Sequence, residues 1–156
     1  MSQALGAAVD VPELVEVEPR QTAVVHVGGD VREFPSLLGD AFEATMQQIT
    51  VSGGQAAGPP FARYFAFGDH IEAEVGFPYI GTLIPSDRVR GSELPGGKAA
   101  LLTHVGGYDD IARAWESVSA WVHDQGFEPA SPPWESYLTG PGDAGLPVTQ
   151  IVFPIR

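Results

Sequence analysis

The residues best suited to chemistry lie in Ser131-Pro132-Pro133-Trp134-Glu135-Ser136-Tyr137-Leu138-Thr139-Gly140-Pro141. Two prolines enter this stretch and a Gly-Pro pair leaves it. Read as a strand, its side chains alternate between faces. Trp134, Ser136 and Leu138 then share one face, and Glu135, Tyr137 and Thr139 the other. A lone carboxylate beside a tyrosine, flanked by bulky apolar residues, suits the floor of a site for a flat cation. An isolated strand glutamate ordinarily faces water instead, so the rest of the chain has to decide.

Other chemistries find little support. There is no cysteine, which excludes disulfides, thiol nucleophiles and thiolate metal sites. His26 and His104 stand at matched places without carboxylates at ligand spacing, so no metal and no cofactor is expected. Gly96-Gly97-Lys98 lacks the upstream glycine and the following Ser or Thr of a phosphate loop. No serine sits in a G-x-S-x-G turn. With 20 acidic against 8 basic residues, the formal net charge is -12. That disfavours nucleic acid and anionic membranes as partners and favours cations. No apolar run is long enough to span a bilayer, and the N-terminus lacks a basic secretory start; a cytoplasmic protein is expected.

The elements that must position these residues read as follows. Residues 1–13 form a flexible tail. Leu14–Val17 and Thr22–Val27 are extended, and Gly28-Gly29 ends the second of them. A helix runs from about Pro35 to Ile49 with the stripe Leu38, Phe42, Met46 and Ile49, and Leu37 and Ala41 beside it. Phe61–Phe67 and Ile71–Phe77 form a hairpin around Gly68-Asp69. In its second strand Ala73, Val75 and Phe77 alternate with Glu72, Glu74 and Gly76. A second helix, about Asp109 to Gln125, carries Ile111, Trp115, Val118 and Val122, with Ala114 and Trp121 alongside. Trp115 and Trp121 read as core. Gly126 suits its end, and Thr149–Ile155 is the last strand.

The pattern is doubled. His26-Val27-Gly28-Gly29 returns as His104-Val105-Gly106-Gly107, and Pro59-Pro60-Phe61-Ala62-Arg63-Tyr64 is echoed by Pro132-Pro133-Trp134-Glu135-Ser136-Tyr137. Two strand–helix–strand–strand repeats follow, about 14–80 and 88–156. The expected fold is α+β: one curved antiparallel sheet, both helices on one face and an open face opposite. The position of Glu135 is Ala62 in the first repeat, so the acid occurs once in the pair.

These residues resemble the GyrI-like small-molecule-binding domain, which also forms the effector-binding part of AraC-type and MerR-type multidrug regulators. The likeness is carried by ARYFAF and IEAEVGFP (Ala62–Phe67, Ile71–Pro78), by LPGGKAALLTHVGGYDDIARAWESVSAW (Leu94–Trp121), and by PWESYLTGP (Pro133–Pro141) with Ile151–Ile155. It implies a ligand groove with Glu135 meeting the charge of lipophilic aromatic cations. It implies aromatic walls from Tyr137 and Tyr64, joined by Phe77 and Tyr79; Trp134 clusters near them, and strand parity puts Glu72 and Glu74 on the open face, where they would assist a cation. No helix-turn-helix fits the short N-terminal segment, so a stand-alone form is expected. Two other readings follow from the family: a metal-independent hydrolase opening strained cyclopropane rings, with Glu135 as general base and Tyr137 or Tyr64 as proton donor, and a gyrase-inhibitor-like domain with a protein partner.

Overall fold

The computed structural model describes residues 11–107, 110–139 and 145–156. In chain order the elements are β1 (Glu13–Val17), β2 (Arg20–Asp30), α1 (Phe34–Val51), β3 (Gln55–Ala56), β4 (Phe61–Ala66), β5 (His70–Ile80), β6 (Val89–Leu94), β7 (Gly97–Val105), α2 (Ile111–Asp124), β8 (Trp134–Tyr137) and β9 (Val148–Pro154). The fold is α+β, and the strand pairs named below are antiparallel. The chain divides into two compact units, one spanning Glu18–Gly96, the other built from Gly97–Arg156 and the segment ending at Val17.

The repeats expected at about 14–80 and 88–156 exchange their opening strands. In the unit of Glu18–Gly96, β2 pairs with β5 along Thr22–Asp30 and with β6 along Arg20–Val25. β4 pairs with the other edge of β5, and β3 adds two residues near its end. The second unit takes β1 onto β7, β7 onto β9 and β9 onto β8. Thus β1 is carried by the later repeat and β6 by the earlier one.

In the earlier unit α1 covers one sheet face. Gly29 lies opposite Leu37, and Phe77 meets Phe42 edge-on at 5.8 Å. Ala23, Val25, Ala62, Tyr64, Ala73 and Val75, all buried, share that face by strand register. The buried helix stripe is Phe34, Ala41, Thr45 and Ile49, so it is rotated from the expected one. Met46 is exposed, and Thr45 replaces it inside because its hydroxyl donates to the carbonyls of Ala41 and Phe42. Contrary to expectation, β2 runs through Gly28 and Gly29. These glycines serve clearance, not a turn: a Cβ on Gly28 would sit 2.7 Å from a Glu72 carboxylate oxygen.

In the later unit α2 lays Ala114, Val118 and Val122 on Ala100, Leu102, Ile151 and Ile155, with Ile111, Trp115, Trp121, Phe127 and Phe153 around them. The helix ends as the sequence implies. Gly126 takes φ +82°, and the Phe127 N–H donates to the Val122 carbonyl at 3.0 Å. Phe127 then stacks on Trp121.

The repeated His-Val-Gly-Gly segments are not equivalent in space. His26 lies on the face of β2 away from α1, whereas His104 pairs with Thr149 on the face that α2 covers. A one-residue slip reverses every side chain of a strand. Two glycine substitutions test the packing. A Cβ on Gly76 would fall 1.8 Å from the Ala23 carbonyl oxygen, inside the sheet. Gly76→Ala should therefore cost about 3 kcal/mol or more, while Gly28→Ala, which meets a flexible side chain, should cost about 1 kcal/mol. Urea denaturation compares them, and equal losses would refute this packing account.

Candidate functional site

The site grows from the short strand β8. Glu135 pairs with Ile151 and Tyr137 with Thr149 on β9, so both side chains share the face on which Ile151 contacts α2. The Tyr137 hydroxyl donates to Glu135 Oε1 at 2.7 Å, the two-residue spacing of a strand bringing them together. From α2 the Trp115 indole N–H donates to Glu135 Oε2 at 2.6 Å. Glu135 is only 6% exposed and Tyr137 9%. A carboxylate this far from water needs such donors, since an unsatisfied buried charge is costly. Both of these donors are neutral groups.

The sequence places the ligand groove on the face opposite the helices; the carboxylate lies on the face that α2 covers. Strand alternation alone cannot tell which face a helix will occupy, whereas the Trp115 contact fixes it. Trp115, read as core from its spacing, is only half-buried. It sits one position beyond Ala114, at the flank of the buried stripe, where an indole N–H finds a polar partner. It also meets Phe153 at 6.5 Å between ring centroids. These two rings, with Glu116, Ser119, Ala120, His123 and Asp124, line an open depression of about 710 Å³ on the flank of α2. On the same face, the Thr149 hydroxyl is buried and lacks a partner among the described residues.

Trp134 is buried on the opposite face of β8, paired with Val152. Glu74, Tyr64, Phe77 and Tyr79 belong to the other unit. Tyr64 is buried there against Phe34 and Phe67, at 5.8 and 5.4 Å. Phe77 and Tyr79 are half-buried on β5. Glu74 lies on the face away from α1, where Arg90 donates to one oxygen at 2.9 Å and the Ser92 hydroxyl to the other at 2.7 Å. It is engaged in an ion pair with Arg90. Arg63 is buried on that face as well, and its desolvation lowers its pKa against the opposing charge of Glu74.

Glu72, next along β5, is held between His70 and His26. The two imidazoles approach opposite carboxylate oxygens, and among the described residues no group of three His, Asp or Glu can hold a metal ion.

A family model for the GyrI-like small molecule binding domain matches residues 11–156. The chain belongs to the GyrI-like family. Among solved structures, the C-terminal domain of EcmrR superposes with TM-score 0.78 at 19% identity, over 93% of this chain and 96% of that one. A Listeria innocua protein described as a hydrolase encoded by lin2189 gives 0.66 at 14%, over 99% and 96%. SAV2435, bound to tetraphenylphosphonium, gives 0.60 at 13%, over 93% of each. No curated protein sequence matches the chain. At these identities the structural likenesses establish this GyrI-like fold and no more. Among the described residues no helix is long and apolar enough to cross a membrane.

The Glu72 cluster gives a pH test. Hydrogen bonds from His70 first, then from His26, lower the Glu72 pKa from its ordinary 4.5. A depressed folded pKa stabilises the protein above the unfolded value, and that stability is lost as pH falls through the folded one. Urea midpoints taken on both sides of this range should show a smaller acid loss in Glu72→Gln than in the parent. An identical acid limb would mean that the histidines do not stabilise the ionised glutamate.

Proposed function

We propose that this GyrI-like domain binds lipophilic aromatic cations and that Glu135 recognises their charge. The observation carrying this reading is a buried carboxylate held by two neutral donors, Trp115 and Tyr137, among aromatic rings. A cation reaching Glu135 gains a Coulombic attraction of about 4 kcal/mol at ~4 Å and an effective dielectric near 20, before desolvation is subtracted. The net gain is smaller, on the order of 1–2 kcal/mol. Ring contacts add ~0.5–2 kcal/mol each. Association itself costs several kcal/mol, so affinity for a non-native dye should be about micromolar. The formal charge of -12 favours the approach of cations from a distance. Tyr64, Phe77 and Tyr79 are not needed for this reading.

The test pairs N-methylacridinium with acridine, its uncharged analogue at mildly alkaline pH. Glu135→Gln keeps the shape and removes the charge. It should weaken the cation about tenfold, the equivalent of roughly 1.4 kcal/mol, and leave acridine bound no more weakly. Calorimetric titration of both ligands against both proteins decides it. Equal losses, or none, would reject Glu135 as the charge-recognising group.

One observation favours a second reading. The buried Tyr137 hydroxyl and Glu135 carboxylate form an acid–base pair at 2.7 Å. Glu135 would act as general base toward water and Tyr137 as proton donor to the leaving carbon of a strained cyclopropane ring. Product analysis separates the readings: a ring-opened product that needs Glu135 and survives chelator supports hydrolysis. Recovery of unchanged substrate supports binding alone.

A further inference from the structure

Trp115 occupies two places at once. Its ring lines the depression on the flank of α2, and its N–H lies on the Oε2 atom of buried Glu135. The depression has the character of an entry for an aromatic cation: two rings, Trp115 and Phe153, with the carboxylates of Glu116 and Asp124 and one histidine, His123. Trp115 is half-buried, whereas Glu135 is only 6% exposed. The indole therefore stands between open surface and carboxylate. Its neighbours Glu116, Ser119 and Ala120 are exposed on the outer side of the helix, and Phe153 is half-buried beside it. A second cavity, about 400 Å³ in the unit of Glu18–Gly96, has no Phe, Tyr or Trp in its lining; Arg88 and Arg90 stand in it beside Asp40 and Asp87. It is a poorer match for a lipophilic cation.

We propose that Trp115 is a latch that a ligand displaces to reach Glu135, and that the depression beside it is the outer subsite where aromatic cations first dock. This rests on the reading that Glu135 receives the cation. A ligand that pushes the indole aside breaks a short hydrogen bond to a buried carboxylate. A cation compensates for that loss directly. A neutral aromatic ring offers no such compensation. The latch thus raises the threshold for every ligand, and positive charge at Glu135 is what overcomes it. Phe153 keeps a ring wall in place while the indole moves. Glu116 and Asp124 hold a cation at the surface, where screening by solvent keeps their pull weak. The specificity of the site then has two parts, the charge of Glu135 and the strength of the bond that the indole makes to it.

Trp115→Phe separates the indole N–H from the aromatic wall. With no hydrogen bond to break, it should tighten both N-methylacridinium and acridine, each about tenfold, because the bond lost on entry is a hydrogen bond to a charged acceptor. In the Glu135→Gln background the same change should gain much less, since a neutral acceptor holds the indole less firmly. Circular dichroism verifies that each variant is folded. A second readout uses the parent protein. In a spectrum of nitrogen-labelled indoles, the Trp115 N–H resonance, identified by its loss in Trp115→Phe, should move on saturation with N-methylacridinium. Unchanged or weakened binding of both ligands by Trp115→Phe, or a resonance that stays fixed at saturation, overturns the latch. Failure here is distinct from failure of the Glu135 reading. If Glu135→Gln weakens the cation selectively while Trp115→Phe tightens nothing, only the latch falls. If Glu135→Gln changes neither ligand, the charge site itself is rejected.

Discussion

A buried carboxylate has to be provided for by its surroundings, and around Glu135 that requirement links a strand to a helix. β8 is four residues long, and its alternation puts Glu135 and Tyr137 on one face. α2 is held over that face by Ala114, Val118 and Val122. That packing brings Trp115 alongside the carboxylate. Loss of the indole or phenol removes a hydrogen bond from the carboxylate, and loss of the helix packing removes the indole. The hydrophobic stripe and the polar contact therefore depend on the same helix placement. The small residues of the stripe let the helix approach closely enough for a 2.6 Å bond across the gap.

The two faces of the earlier unit's sheet show the same physics with a different outcome. On the face that α1 covers, Ala62 stands where the repeat has its acid, and Tyr64 is enclosed by Phe34 and Phe67. The acids of β5 lie on the opposite face and are matched by basic groups: Glu74 by Arg90, Glu72 by His70 and His26. Glu135 accepts from a phenol and an indole.

Much of the fold was legible because its signals are local. Hydrophobic period located both helices, Gly126 and Phe127 marked the end of α2, and Gly68-Asp69 marked the hairpin. Less was legible where partners are distant in sequence. Nothing local says that β1 joins β7 or that β6 joins β2. The repeated His-Val-Gly-Gly motif suggests equivalent histidines, yet a one-residue slip put His26 and His104 on different faces. Met46 looked like core on hydrophobicity, but Thr45 could satisfy its hydroxyl on the helix itself and took the place. For the site, strand parity correctly grouped Glu135 with Tyr137 and separated Trp134 from them. The role of Trp115 was hidden, because a tryptophan near a buried stripe reads as packing until its N–H is seen to have a partner.

The central claim is that a cation is recognised by the charge of Glu135, and carbon-13 spectroscopy of the glutamate carboxyl groups observes that atom group without any substitution. Labelled protein would be titrated with tetraphenylphosphonium, and the Glu135 carboxyl signal followed to saturation. The account predicts that this resonance shifts more than those of Glu72 and Glu74, which are already engaged by basic side chains. A Glu135 signal that stays fixed while ligand saturates the protein, with the large shifts at other carboxylates, would contradict it.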